Sequence, residues 1–261
     1  MTAYERRQTL IELLRKQPGL RVREMAVALE VSEGTIRNDL NVLEEQERLK
    51  RVHGGAVLQD LSHFQNNSFI RRFQQNAAAK LAIARQAALL VLDGDSILLD
   101  ASSTSYYLAC ALAGRNKLRV MTNGFELARE LANNSSNTVI LIGGVVNNDS
   151  SSVTGLLSEQ IIAEIHIQKA FFSCSGFSLE RGMTEVHLEE AQLKRKAIES
   201  AAQVIALIDS SKFGKEDLTS FASIDQITRL LTDAGITAEW KARLQSAKIP
   251  FTVCNGDSLS A

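Results

Sequence analysis

Residues 31–55 read Val-Ser-Glu-Gly-Thr-Ile-Arg-Asn-Asp-Leu-Asn-Val-Leu-Glu-Glu-Gln-Glu-Arg-Leu-Lys-Arg-Val-His-Gly-Gly, and the rest of the chain is placed by how this stretch folds. Ser32 follows an apolar residue and offers a hydroxyl to the orphan N–H groups of a first helical turn, so a helix is predicted to start there. Ile36, Leu40 and Leu43 recur at helical spacing and make one buried stripe. Glu33, Thr35, Arg37, Asn38 and Asn41 fall on other faces. Amide, hydroxyl and guanidinium groups on an exposed helix face are the groups that bond phosphates and base edges, Arg favouring guanine and Asn adenine.

Val22, Met25, Ala26 and Leu29 give a second short stripe upstream, and the Glu30-Val31-Ser32 corner leaves few residues between the two helices. That spacing is a helix-turn-helix. Downstream, Leu49 and Val52 alternate with Lys50 and Arg51 before His53-Gly54-Gly55, the pattern of a small basic hairpin, or wing. A double-stranded DNA operator is the expected partner, read by Ser32, Glu33, Thr35, Arg37, Asn38, Lys50, Arg51 and His53. Tyr4 to Lys16 is a further helix, stopped by Pro18-Gly19.

Residues 1–58 resemble the N-terminal domain of DeoR-family bacterial transcriptional regulators. The resemblance rests on Arg7 to Ile11, matching the family's Arg-x-x-x-Ile string before a first helix, on Val31 to Leu40, and on Leu49 to Ala56. Two residues depart from the family pattern. Asn38 stands where a second Arg is usual, which implies a different operator preference, and Glu47 stands where a Gly usually closes the helix.

The 261 residues are 45% hydrophobic and 23% charged, enough for two domains with full cores. The formal net charge is −1. Residues 1–75 hold 12 Lys plus Arg against 10 Asp plus Glu, and the remainder 17 against 20, so local geometry has to concentrate positive charge for binding. Cys110, Cys174 and Cys254 are scattered and form neither a CxxC pair nor a Cys/His cluster; they are expected to be reduced core thiols, with no metal and no cofactor. No apolar run approaches a membrane span, so a cytoplasmic protein is expected.

Gln59 to Gln75 is a polar linker carrying Phe64, Phe69 and Phe73, aromatics expected to pack on a domain. From residue 77 to 261 an α/β sensor domain is predicted. Helices alternate with short aliphatic runs at Ile97–Leu99, Leu118–Met121, Val139–Ile142, Ala170–Ser173, Val204–Ile208, Arg229–Thr232 and Phe251–Cys254, a mainly parallel sheet. Polar runs at 133–137 and 147–152 read as surface loops.

Ligands of such sheets gather beyond the carboxyl ends of the strands. Those ends are polar and small here: Asp100-Ala101-Ser102-Ser103-Thr104, Asn123-Gly124, Gly143-Gly144, Ser173 to Gly176, and Asp209-Ser210-Ser211-Lys212. Hydroxyls and free N–H groups at a helix start form an anion site, so one crevice for a phosphorylated, hydroxyl-rich ligand is expected. The plainer reading makes Asp100 to Thr104 a helix cap and Gly143-Gly144 a turn. His166 and His187 are single residues read as structural or surface, and Lys194-Arg195-Lys196 as a solvated helix face from which Lys194 alone can turn inward.

Residues 77–254 also resemble the DeoR-family sensor domain, whose fold is similar to ribose-5-phosphate isomerase. The matching segments are Asp100 to Thr104, Thr122-Asn123, Gly143-Gly144, Glu190 to Lys194 and Asp209 to Phe213, with Ser102 in place of a common glycine. The resemblance implies an effector site of Asp100, Ser102, Ser103, Thr104, Asn123, Gly143, Gly144, Lys194, Asp209 and Lys212. It implies a repressor of a carbohydrate-metabolism operon, controlled by a phosphorylated sugar and assembled as a homo-oligomer, dimer or tetramer. The competing reading is a sugar-phosphate isomerase or deaminase with a DNA-binding appendage. It needs a dedicated base, and neither an Asp-rich acidic loop nor a Lys-Gly-Gly-Gly segment is present.

Overall fold

The computed structural model describes residues 3–17, 20–46, 48–52, 55–58 and 68–255. The chain divides into two compact units, residues 1–77 and 78–261.

The first unit holds α1 (Ala3–Lys16), α2 (Val22–Ala28), α3 (Glu33–Glu45), β1 (Leu49–Val52), β2 (Gly55–Leu58) and α4 (Ser68–Gln74). Leu10, Leu14, Met25, Ile36, Leu40, Leu43 and Leu49 meet in one core. The turn between α2 and α3 closes by backbone alone: Glu30 takes a left-handed φ of 53°, Glu30 N–H donates to Val27 O at 3.2 Å, and Val31 N–H donates to Ala26 O at 3.0 Å. This is a Schellman closure. The end of α3 uses the same long-loop bond, Arg48 N–H to Leu43 O at 2.9 Å, so the helix stops after Glu45 without a glycine. Glu47 itself lies outside the described residues. β1 and β2 pair antiparallel, Leu49 with Leu58 and Val52 with Gly55. Gly55 is required because a Cβ there would sit 2.7 Å from Leu20 O. Within the expected linker, Phe69, Ile70 and Phe73 are buried on α4; Phe64 lies outside the described residues.

The second unit runs α5 (Ala77–Ala88), β3 (Ser96–Leu99), α6 (Ser103–Ala111), β4 (Arg119–Thr122), α7 (Phe125–Ala132), β5 (Thr138–Leu141), β6 (Val145–Asn147), β7 (Ser152–Thr154), α8 (Leu156–Ala163), β8 (Ile167–Phe172), β9 (Gly176–Ser178), β10 (Gly182–Glu185), α9 (Leu188–Glu199), β11 (Ala201–Leu207), β12 (Thr219–Ala222), β13 (Arg229–Asp233), α10 (Ala238–Ser246) and β14 (Phe251–Cys254). Seven strands form one sheet in the order β14-β13-β11-β8-β3-β4-β5, every pair parallel. Helices cover its faces, which is why its central strands are continuous apolar runs such as Ile97, Leu98 and Leu99, all three buried. The chain lays down β3, β4 and β5 outward and then returns to β8 on the other side of β3, so strand order reverses between β3 and β8. A crevice opens at the carboxyl ends of strands where that happens.

Two features differ from the sequence reading. The polar run 147–152 is not a plain surface loop: β6 and β7 form a hairpin, and Ser150, Ser151 and Ser152 are buried. A second, antiparallel sheet of β12, β10 and β9 leaves no signal in the sequence, because its strands are three or four residues long and carry no clear alternation.

Candidate functional site

The start of α3 is built by hydroxyls. Ser32 Oγ accepts from Thr35 N–H at 3.1 Å, and Thr35 Oγ1 lies 2.9 Å from it. Glu33 and Arg37 form an ion pair at 2.7 Å one turn on, while Asn38 and Asn41 are exposed beside them. Arg51 ties the wing to this helix: its Nη1 donates to Asn41 Oδ1 at 2.5 Å and its N–H to Glu44 Oε1 at 2.8 Å. Lys50 is exposed on β1. His53 lies outside the described residues. The outer face of α3 therefore presents amide and guanidinium groups, with a cationic strand held alongside.

One residue that orients this face escaped the sequence reading. Asp39 points into the unit, 1% exposed, and accepts from Arg6 Nε at 2.5 Å and Arg7 Nε at 3.1 Å. The hydrogen bond to Asp39 raises the Arg6 guanidinium above its ordinary value against the opposing effect of burial. α1 and α3 are thus locked in rotation relative to each other, which fixes which residues of α3 face outward.

In the second unit, Asp100 at the end of β3 is the hub. Its Oδ1 accepts from Ser102 Oγ at 2.6 Å and Ser105 Oγ at 2.5 Å. Its Oδ2 accepts from Ser173 N–H at 3.0 Å across the strand-order reversal and faces Lys194 Nζ at 3.0 Å. Lys194 also pairs with Glu185 at 2.7 Å, donates to Ser173 O at 3.0 Å and sits 4.8 Å above the Phe221 ring. Burial by itself lowers the Lys194 pKa, but Glu185, Asp100 and Glu190 more than offset it and hold the ammonium charged. Lys194 is the inward member of its run; Arg195 is not solvated as expected, because Ser220 O and Thr219 Oγ1 take its guanidinium.

Ser102 is the N-cap of α6, accepting from Ser105 N–H at 3.1 Å, so the helix-cap reading holds for it. Thr104 Oγ1 lies 3.4 Å from Ser173 Oγ. Ser103, at the first position of α6, is buried. Asn123, after β4, accepts from Ala101 N–H at 3.1 Å and donates to Val153 O at 3.2 Å and Glu190 Oε2 at 3.3 Å. Ser150 and Ser152 hydroxyls donate to Glu190 Oε1. Glu190 is therefore a further buried carboxylate near these strand ends, and it explains why the serine run is internal.

Asp209 and Lys212 lie beyond β11, next to β8 in the sheet. Asp209 accepts from Ser211 N–H at 3.2 Å and starts a 3-10 turn. Lys212 on that turn is half-buried. The turn is anchored by the next residue, Phe213, whose ring packs on Phe177 and Trp240. Lys194 contacts Asp100 after β3 and Ser173 after β8, and Lys212 follows β11, so both cations belong to the carboxyl end of the sheet. Of Gly143 and Gly144, only the second is required by close packing, since a Cβ on Gly143 would meet open space. Gly143 O accepts from Ser158 at 2.7 Å, and at Gly144, with φ 155°, a Cβ would collide with Thr154 O. Asp100, Ser102, Ser103, Thr104, Asn123 and Lys194 are brought together; the two glycines stand apart at the sheet's outer edge.

The chain matches the DeoR-like helix-turn-helix domain over residues 6–62 and the DeoR C terminal sensor domain over residues 75–234. It is 38% identical to the HTH-type transcriptional regulator GolR of Listeria innocua, covering 97% of this chain and 99% of that one. It is 34% identical to the lactose phosphotransferase system repressor of Streptococcus mutans, over 89% and 93%, and 30% identical to the glycerol-3-phosphate regulon repressor of Haemophilus influenzae, over 96% and 97%. Ribose 5 phosphate isomerase A from Neisseria gonorrhoeae overlaps 54% of the chain with a TM-score of 0.39 and 13% identity, too distant to carry a functional argument. With a helix-turn-helix reader, a wing and a sensor domain matched along nearly its whole length, the chain belongs to the DeoR family of DNA-binding transcriptional regulators.

Proposed function

We propose that this regulator represses a carbohydrate-metabolism operon and that a phosphorylated sugar, bound at the carboxyl ends of β3, β8 and β11, controls it. The observation that carries the reading is the sheet end at the strand-order reversal, where the α6 N-terminus with Ser103 lies at the same carboxyl side of the strands as the half-buried cation of Lys212. Backbone N–H groups at a helix start and a nearby ammonium suit a phosphate dianion. Relatives named for lactose and glycerol-3-phosphate systems point to the same class of ligand. Reading by α3 and β1 is assigned to Arg37, Asn38, Lys50 and Arg51, with the protein acting as at least a dimer on a two-fold operator.

The isomerase reading is disfavoured by Asp100. This carboxylate at the end of β3 has both of its oxygens occupied by Ser102, Ser105, Ser173 and Lys194. A general base has to reach a substrate carbon with a free lone pair. The domain is assigned to binding rather than turnover. Melting the full chain against a panel of sugar phosphates tests this, since a ligand that prefers the folded state raises Tm. The same sugar phosphate must then change operator affinity. No shift with any member of the panel would remove the phosphosugar assignment.

A further inference from the structure

Apolar side chains are left in water along one edge of the second unit. β5 is the terminal strand of the seven-stranded sheet, with Ile140 and Leu141 exposed; Val145 and Val146 of β6 and Leu156 and Leu157 at the start of α8 are exposed as well, from 40% at Ile140 to 71% at Val145. These positions are continuous. Gly143 O accepts from Ser158 of α8 at 2.7 Å, and a Cβ on Gly155, the residue before Leu156, would lie 3.7 Å from Val145 Cγ2. Together the six expose on the order of 600 Å² of apolar side chain, the upper end of what one patch on an ordinary monomer shows. That is about the apolar share of the ~800 Å² that each partner gives to a standard interface.

Charge points the same way. From Thr138 to Ile162 the only charged residues are Asp149 and Glu159, in a chain that is 23% charged. Edge strands that face water are normally guarded by lysine, proline or a bulge; Thr138–Leu141 carries no charge and no proline. Depletion of charge with exposed aliphatics is the composition of an interface centre. A two-fold pair uses one patch twice, and a helix-turn-helix reader that recognises paired half-sites needs that symmetry.

We propose that the edge formed by β5, β6 and the first turn of α8 is the surface through which two copies of this chain pair. Sedimentation of the full chain over the micromolar range tests it. Wild type is expected to assemble, while Leu157→Glu and Val146→Lys each halve the assembly mass, raising the dissociation constant roughly a hundredfold or more because an unpaired charge would be buried. Leu92→Glu, equally exposed but before β3 at the opposite end of the sheet, is expected to change nothing. A second measurement does not depend on the charged variants folding. Cysteine introduced by Val146→Cys should react with a maleimide at least tenfold more slowly than one introduced by Leu92→Cys, the native thiols all being buried. Equal labelling rates, variants that retain wild-type mass, or a monomeric wild type with a protected residue 146 would each overturn the proposal; the last would mean that another part of the same chain covers the edge.

Discussion

Lys194 Nζ stands 3.0 Å from Asp100 Oδ2, joining α9 to the end of β3 inside the second unit. Asp100 is 1% and Lys194 6% exposed, so removing the cation leaves Asp100 and Glu185 without the one positive charge that pairs with both. Lys194→Met is expected to destabilise the sensor domain by about 3 kcal/mol or more, read by urea unfolding of the full chain. A loss below about 1 kcal/mol would show that the pair contributes little.

Lys212 behaves oppositely in this picture. It is half-buried, as is the turn that carries it, and that turn is anchored by Phe213. Lys212→Ala is expected to leave Tm and ligand-free operator binding as in wild type, and to abolish the response to the sugar phosphate that raises Tm. A substituted protein that responds at wild-type concentrations would place the effector elsewhere.

On the DNA side, Asn38→Ala is expected to relax base preference at one operator position by about 1 to 3 kcal/mol, while Lys50→Ala weakens all sequences alike and lowers the salt slope by about one. Binding to a randomised operator library distinguishes the two. An unchanged profile for Asn38→Ala removes that residue from the reading set.

Asp39→Ala is expected to cost about 2 to 4 kcal/mol of stability in the first unit, since two arginines lose their buried partner. DNA affinity should fall although Asp39 faces away from the DNA-reading side. Unaltered affinity would show that α1 does not set the orientation of α3.

Alkali should weaken the second unit. Burial pushes the Cys254 thiol up to about 11 from its ordinary 9.0, and at Lys194 the carboxylates of Glu185, Asp100 and Glu190 raise the ammonium despite the opposing effect of burial. A group whose folded value is raised contributes fully below its unfolded value and loses that contribution as pH climbs through the folded one. Stability is therefore expected to hold up to about pH 9 and to decline toward pH 11, less steeply in Cys254→Ala. A flat stability over that interval would contradict these shifts.

Much of this was legible in local pattern. The Ser32 cap, the Ile36-Leu40-Leu43 stripe and the βα alternation are signals carried within one or two turns of chain, and the structure reproduces them with boundaries moved by a few residues at most places. What could not be read was partnership at a distance. Asp39 looks like any polar residue of an amphipathic helix, because Arg6 is 33 positions away. Ser150 and Ser152 look like loop because their acceptor, Glu190, comes 38 to 40 residues later. Gly143-Gly144 reads as either a ligand loop or a turn, and the close approach of Thr154 to the second glycine comes from ten residues further along the chain.

Glu190 and Lys194 lie four residues apart, one helical turn, on the inward side of α9. The first holds the serine hairpin and Asn123; the second holds β3, β8 and β10. α9 is thereby an axle with two spokes. A rotation small enough to lengthen one set of bonds must strain the other, so the strand ends around it shift as a set or not at all. Packed elements linked in this way respond by switching between arrangements rather than by bending gradually.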